Sequence, residues 1–329
     1  MSEVKSEKEN VMRLLYSGQM ESIELGLQIS KSLKINLRDV KQDMEILFKW
    51  IGKYKNISFK EKLFKSLTIK NIDASNNRLT DVPSQIKYLT NLETLNLNTN
   101  SITSLPQELY TLTKLNDLNL GSNHLTSIDP AIGNLHNLIR LTLEDNHLEI
   151  LPPEIGNLTQ LTELYLSTNK FTHIPHQIGN LTQLDFLDLT VNELQSIPAE
   201  IGKLTNLANL HLGTNQIKSI PIEIFNLTNL IEFSIDHNPI GELPPEISNL
   251  TKLIGLVLRN SELTSLPSQI GIMKKLGVLS LESNQLTHLP SEISNLTNLR
   301  HLYLKNNRII AEERKKIKSW LPNCEINFE

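Results

Sequence analysis

One cysteine, two tryptophans and no long apolar run occur in 329 residues. A single thiol leaves no partner for an intramolecular disulfide, which agrees with a reducing compartment. Cys324 lies in Leu-Pro-Asn-Cys-Glu with no histidine beside it, so a small buried hydrophobe is expected there rather than a nucleophile. No stretch approaches the roughly 20 apolar residues that cross a bilayer. The first ten residues, MSEVKSEKEN, are polar and lead into no signal-peptide core, so a soluble cytoplasmic protein without a membrane partner is expected. A Walker-type loop, HExxH, a nucleophile elbow and CxxC are all missing, and with them any sequence sign of a cofactor, a metal or a catalytic centre.

Charge is unevenly spread behind a formal net value of -4. Residues 1–70 hold 14 Lys and Arg against 9 Asp and Glu, residues 299–329 hold 7 against 4, and the stretch between holds 11 against 23. An acidic body repels a phosphate backbone, which argues against nucleic acid. Basic or mixed protein surfaces are the expected partners.

What the chain has in abundance is one pattern. From Leu92 the skeleton LxxLxLxxNxLxxLPxxIxxLxx restarts at Leu115, Leu138, Leu161, Leu184, Leu207, Leu230, Leu253, Leu276 and Leu299, and counting back it starts at Ile69. Every step is 23 residues. A unit of this size cannot bury its apolar face alone, so regular repetition implies a solenoid in which neighbours cover one another. The period-two alternation of Leu92-x-x-Leu95-x-Leu97 predicts a short strand with leucine inward. Stacked in parallel at roughly 4.8 Å, eleven such strands give a sheet about 50 Å long. The asparagine after each strand, Asn77 through Asn307, offers two donors and an acceptor to a turn leaving the sheet, and reads as a structural ladder. Ser261 breaks that column, so a less well satisfied turn is expected there. The Leu-Pro of each second half suits a return segment outside the sheet. In the third unit the proline shifts by one, to Ile128-Asp129-Pro130, and a local distortion is expected. Asn-Leu-Thr triplets at Asn157, Asn180, Asn226, Asn249 and Asn295 recur because the repeat recurs.

Residues 1–68 lack the repeat. Ser6-x-x-Glu9 before Val11, Leu14 and Leu15 has the form of a capping box. A second helix is suggested by Leu25, Ile29 and Leu33, with Ile23 and Leu27 on an adjoining row, although Ile23 to Ile29 also alternates with a strand period. A third helical pattern starts near Asn36 with Val40, Met44, Leu47 and Trp50. Lys49, Lys53, Lys55, Lys60, Lys62 and Lys65 are expected on a solvated face. Trp50 and Trp320 lie near the two ends of the repeats, where a large ring can cover an open edge.

The repeat resembles the leucine-rich repeat family, over about three quarters of the chain. Its 23-residue LPxxIGNL form resembles cytoplasmic Ras-scaffold, plant Ras-group, disease-resistance-type and bacterial repeats. The resemblance implies an α/β fold: a curved horseshoe with the parallel sheet on its concave face. It implies a helical cap at 1–68, ten full units and a partial eleventh at 69–310, and a helix-strand cap at 311–329. Extracellular members usually close their ends with disulfide-rich caps, which a single cysteine cannot form. The function implied is non-enzymatic protein binding, as a scaffold in signal transduction.

Outward strand positions are not dictated by the framework, so specificity is sought there. Repeats four to eight bring together Arg140, Glu144, Asp145, Glu163, Tyr165, Phe186, Asp188, His211, Glu232, Asp236 and His237. Exposed aromatics ringed by charge are typical of an interface hot spot. Tyr165 and Phe186 would anchor, and the carboxylates would select a basic partner. Asp188, His211 and Asp236 have the chemistry of a metal or acid/base site, but a flat sheet face offers no pocket to exclude water. Two alternatives come from the resemblance: a host-directed bacterial effector and a regulator of a small GTPase. Repeat-bearing ubiquitin ligases need a further catalytic domain, for which the segments flanking the repeats leave little room.

Overall fold

The computed structural model describes residues 2–52 and 57–329. Lys53 and Lys55 lie outside them. The chain forms two compact units, one of Met1–His124 with Asn134–Leu138, the other of Leu125–Gly133 with Ile139–Glu329.

The first unit opens with four helices, α1 (Ser2–Leu15), α2 (Met20–Ser32), α3 (Arg38–Ile51) and α4 (Phe59–Ser66). Three differ from the sequence expectation. Helix α1 begins at Ser2, so Ser6 lies inside it rather than capping it; the surrounding Glu and Lys residues are good helix formers, with no glycine or proline to delay the start. Helix α2 is a helix throughout, but its buried row is Ile23, Gly26 and Ser30, while Leu25 and Leu33 are exposed. Gly26 decides this, because Leu14 and Leu15 of α1 lie against its Cα and a side chain there would meet them at 3.1 Å. Helix α4 is one the hydrophobic spacing did not disclose. It carries a complete capping box, Ser58 with Glu61. Helix α3 matches its pattern, burying Val40, Met44 and Leu47 together with Phe48 and Ile51.

One-off contacts tie these helices to the first repeat. The Trp50 indole N–H donates to the Asp81 carbonyl at 3.1 Å, Tyr16 stacks on Tyr88 with ring centroids 5.4 Å apart, and Asp43 accepts from the Tyr88 hydroxyl at 2.7 Å and from the Gln85 amide at 2.9 Å. Three strands follow in this unit: β1 (Asn71–Asp73), β2 (Thr94–Asn96) and β3 (Asp117–Asn119), paired parallel in equivalent register.

The second unit is built from the remaining repeats. Its strands are β4 (Arg140–Thr142), β5 (Glu163–Tyr165), β6 (Phe186–Asp188), β7 (Asn209–His211), β8 (Glu232–Ser234), β9 (Gly255–Val257), β10 (Val278–Ser280) and β11 (His301–Tyr303). Helix α5 (Ala311–Trp320) and strand β12 (Glu325–Asn327) close the chain. Each strand of this unit pairs parallel with the next, including β11 with β12. From β4 to β11 the central residue of each strand is buried, as the alternation required, and its neighbours are half-buried or exposed except Thr142 and Ser280.

Each return segment is a five-residue 3-10 turn, usually with the repeat proline as its N-cap near φ -65°, such as Pro175 and Pro198. The displaced proline of the third unit leaves the turn's place in the 23-residue step unchanged. Its turn, Pro130–Asn134, keeps the register of the others, because Asp129 stands at the cap and accepts from the Ala131 amide at 2.8 Å. Gly156 shows how tightly these turns stack: a Cβ there would lie 2.6 Å from the Gln177 carbonyl oxygen. The core of each unit is a column of fully buried Leu and Ile, each stabilising by about 1.5–3 kcal/mol through burial.

The asparagine ladder is present. Asn192 accepts from the Phe171 amide and donates to the carbonyls of Leu166, Leu189 and Thr190, and Asn169, Asn215 and Asn238 repeat the scheme. At Ser261 the side chain makes one bond, to the Arg259 carbonyl. The turn re-satisfies itself from its own backbone: Ile240 donates to Asn238, and Gly241, at φ +70°, donates to the Ser261 carbonyl. A second ladder was not anticipated. In five units the residue before the first leucine is an asparagine, Asn91, Asn137, Asn206, Asn229 or Asn298, and it donates to a carbonyl 24 residues back.

Candidate functional site

The outward residues of β4 to β8 belong to the second unit, and the structure gathers most of the eleven candidates into two groups. In the first, Arg140 on β4 grips Glu163 on β5 through two bonds of 2.8 and 2.7 Å. Strand pairing sets these residues directly opposite. The Tyr165 hydroxyl donates to the same Glu163 carboxylate at 2.8 Å. Tyr165 then packs on Phe186 with centroids 4.8 Å apart, and Phe186 on His211 at 5.4 Å. The result is a run of three half-buried rings across β5, β6 and β7, locked at one end by an ion pair.

Electrostatics follow the geometry. The Arg140 bonds hold the Glu163 carboxyl below its ordinary value. Burial and the adjacent carboxylate push the Tyr165 phenol up to about 12, so at neutral pH it is a donor. Burial, then the charges of Asp188 and Asp145, raise Glu144. Asp188 itself accepts from the Thr190 amide and hydroxyl at 2.9 and 2.5 Å.

The second group centres on Asp236, which is buried rather than exposed. It accepts from the Ser234 hydroxyl at 2.5 Å, pairs with His237 at 2.8 Å and lies 3.4 Å from Arg259. Burial alone would raise this carboxyl; the Ser234 and His237 bonds and the Arg259 charge outweigh it and hold it low. Gly213 makes the room, since a Cβ there would lie 2.6 Å from the Asp236 Oδ1. Ser234 and Arg259 were missed as members of this cluster, although both stand in the outward columns. Glu232 is exposed on β8, beside neither group's bonds.

Asp188, His211 and Asp236 therefore have separate partners: Thr190, the Phe186 ring, and the Ser234–His237–Arg259 set. No group of three or more His, Cys, Asp or Glu placed to hold a metal occurs among the described residues. Cys324 is half-buried, with its thiol pushed up to about 11 by burial. Asp145 and His237 stand one residue before a ladder asparagine, and that position takes left-handed backbone in every repeat, including Val191 at φ +55°. The signal was available, since the ladder asparagine marks where the chain leaves the sheet.

Family models described as "Leucine-rich repeat region" match residues 116–215 and 176–257, and models described as "Leucine rich repeat" match 68–125 and 248–309. No curated protein matches the chain. Among solved structures, a leucine-rich repeat protein of Leptospira interrogans is 29% identical with a TM-score of 0.58, covering 89% of this chain and 98% of its own. An internalin of Listeria monocytogenes is 26% identical with a TM-score of 0.68, covering 88% of each. The Arabidopsis receptor kinase HAESA, solved with the peptide hormone IDA and the co-receptor SERK1, is 30% identical with a TM-score of 0.65, over 73% of this chain and 42% of that one. No helix among the described residues is long and apolar enough to cross a membrane.

Proposed function

The chain belongs to the leucine-rich repeat family, and from that premise we propose that it is a non-enzymatic scaffold that holds a polypeptide partner on the outward face of β4 to β8. The observation that carries this is the ring run Tyr165–Phe186–His211. Three aromatic surfaces left half-open on adjacent strands serve no packing need of the repeat, and rigid aromatics supply binding area at low entropic cost. The peptide hormone in the HAESA structure supports a peptide segment as ligand. Glu144 supports a basic one, because a carboxyl crowded by Asp188 and Asp145 is relieved by an incoming cation.

Within this reading, α1 to α4 and the α5–β12 segment cover the two ends of the repeats, with bounds at 68/69 and 310/311. The Trp50 and Asp43 contacts support the first cover. The buried Ile317 and the β11–β12 pairing support the second.

The test replaces Tyr165 and Phe186 by alanine and compares captured partners from native lysate with those of the wild type. Loss of a specific partner by tenfold or more is expected; unchanged capture removes this face from consideration. Binding of a basic partner should also weaken as pH falls. The cation needs ionised Glu144, whose raised pKa moves the onset of that loss above the ordinary glutamate range.

A further inference from the structure

Away from the strand face, helices α2, α3 and α4 leave an open groove of about 610 Å³. Its floor is Leu27, Ile35, Leu37 and Phe59, and its rim carries Lys31, Arg38 and Lys41; no carboxylate lines it. Two cations of this helical region outside the groove are differently placed. Lys60 and Lys62 are each 2.6 Å from a carboxylate, Glu24 and Glu45 respectively. Among the described residues, no ion pair joins a carboxylate to Lys31, Arg38 or Lys41.

The groove is also preformed. The Ile35 amide donates to the Ser30 carbonyl at 2.8 Å, and the Arg38 amide donates to Asn36 Oδ1 at 2.8 Å. These bonds fix the loop that forms one wall. The Lys41 ammonium stands 5.5 Å from the centre of the Phe59 ring, which holds a charge at the edge of the apolar floor.

Three cations lining an apolar trough repel basic ligands, and the trough's hydrophobic surface is left in water. Both costs are removed together by a ligand that carries carboxylates along one edge and aliphatic or aromatic side chains along the other. We propose that this groove binds an acidic, amphipathic segment of a protein partner, at a site separate from the strand face. Charge complementarity commits the occupant: the rim sits in the 70-residue stretch where Lys and Arg exceed Asp and Glu by 14 to 9, the reverse of the acidic repeats. The scaffold would then hold two partners of opposite charge, each on the region that attracts it.

The experiment selects a random 12-residue phage-displayed peptide library on the full-length protein and on the triple variant Lys31→Glu, Arg38→Glu, Lys41→Glu. The substituted side chains are exposed, and circular dichroism confirms that the variant is folded. Acidic peptides with interspersed apolar residues are expected on the wild type, with at least tenfold weaker binding to the variant and a steep loss of affinity with salt. Ile35→Ser, which roughens the floor and leaves the rim intact, is expected to weaken the same peptides. Vesicles of phosphatidylserine and phosphatidylcholine form the second arm. Enrichment of no peptide over the charge-reversed variant overturns the proposal, as does selection of basic peptides. Sedimentation with anionic vesicles in the absence of peptide enrichment overturns it in favour of a membrane surface.

Discussion

The four N-terminal helices and the repeats are stabilised in opposite ways. In the repeats one set of bonds is made again every 23 residues: the asparagine side chain to its four backbone partners, the proline cap, the strand pair. In the helical segment each stabilising contact occurs once, as with Asp43 between Tyr88 and Gln85, the Trp50 indole on Asp81, or Gly26 under Leu14. Repetition makes the ladder robust to single departures, as Asp129 and Ser261 show. Singular contacts have no neighbour to compensate.

The sharpest test of this contrast is the interior of the ladder. Replacing Asn192 by alanine removes four bonds and strands the Phe171 amide, while the Leu166, Leu189 and Thr190 carbonyls each keep one other donor, a loss of about 2–4 kcal/mol. Urea denaturation should show it; a change below about 1 kcal/mol would mean the asparagine column is decorative. Gly156→Ala comes next, because the added methyl meets the Gln177 carbonyl at 2.6 Å and overpacking of this kind costs about 1–3 kcal/mol. Equal stability of the variant would show that the turns can spread apart. On the helical side, Asp43→Ala should cost about 1–2 kcal/mol. Hydrogen exchange should place that loss in α1 to α4 and the first repeat alone; protection lost in β6 to β9 as well would end the idea that these contacts act locally. The smallest effect is a gain. Ser261→Asn restores the missing ladder residue and should add about 0.5–1 kcal/mol, unless the Gly241 turn has already taken up every partner, in which case the thermal midpoint will not rise.

Much of the repeat architecture was legible because an error at one position is corrected by ten others. The inward leucines, the outward strand residues and the ladder all follow from a period of 23 and an alternation of two. Even so, the pattern misjudged Asp129, where a side-chain oxygen replaces a proline as cap, and it passed over the second asparagine ladder. In the helices one hydrophobic spacing has to stand alone. Leu25, Ile29 and Leu33 form as good a row as Ile23, Gly26 and Ser30, and only packing against Leu14 and Leu15 chooses between them.

The candidate site divides along the same line. That Tyr165, Phe186 and His211 are neighbours follows from the repeat, since equivalent positions on paired strands stand opposite or diagonal. That Arg140 clamps Glu163, and that Asp236 turns inward to Ser234 beneath a glycine, depends on rotamers and on space left by other side chains. By itself, then, the sequence determined the period, the strands, the buried columns and which residues share the outward face, because each is a consequence of local geometry summed over identical units. Only the tertiary structure decided which helix row is buried, which carboxylates are engaged and where an apolar groove stays open under three lysine and arginine side chains. Those outcomes depend on contacts between residues that no periodicity relates.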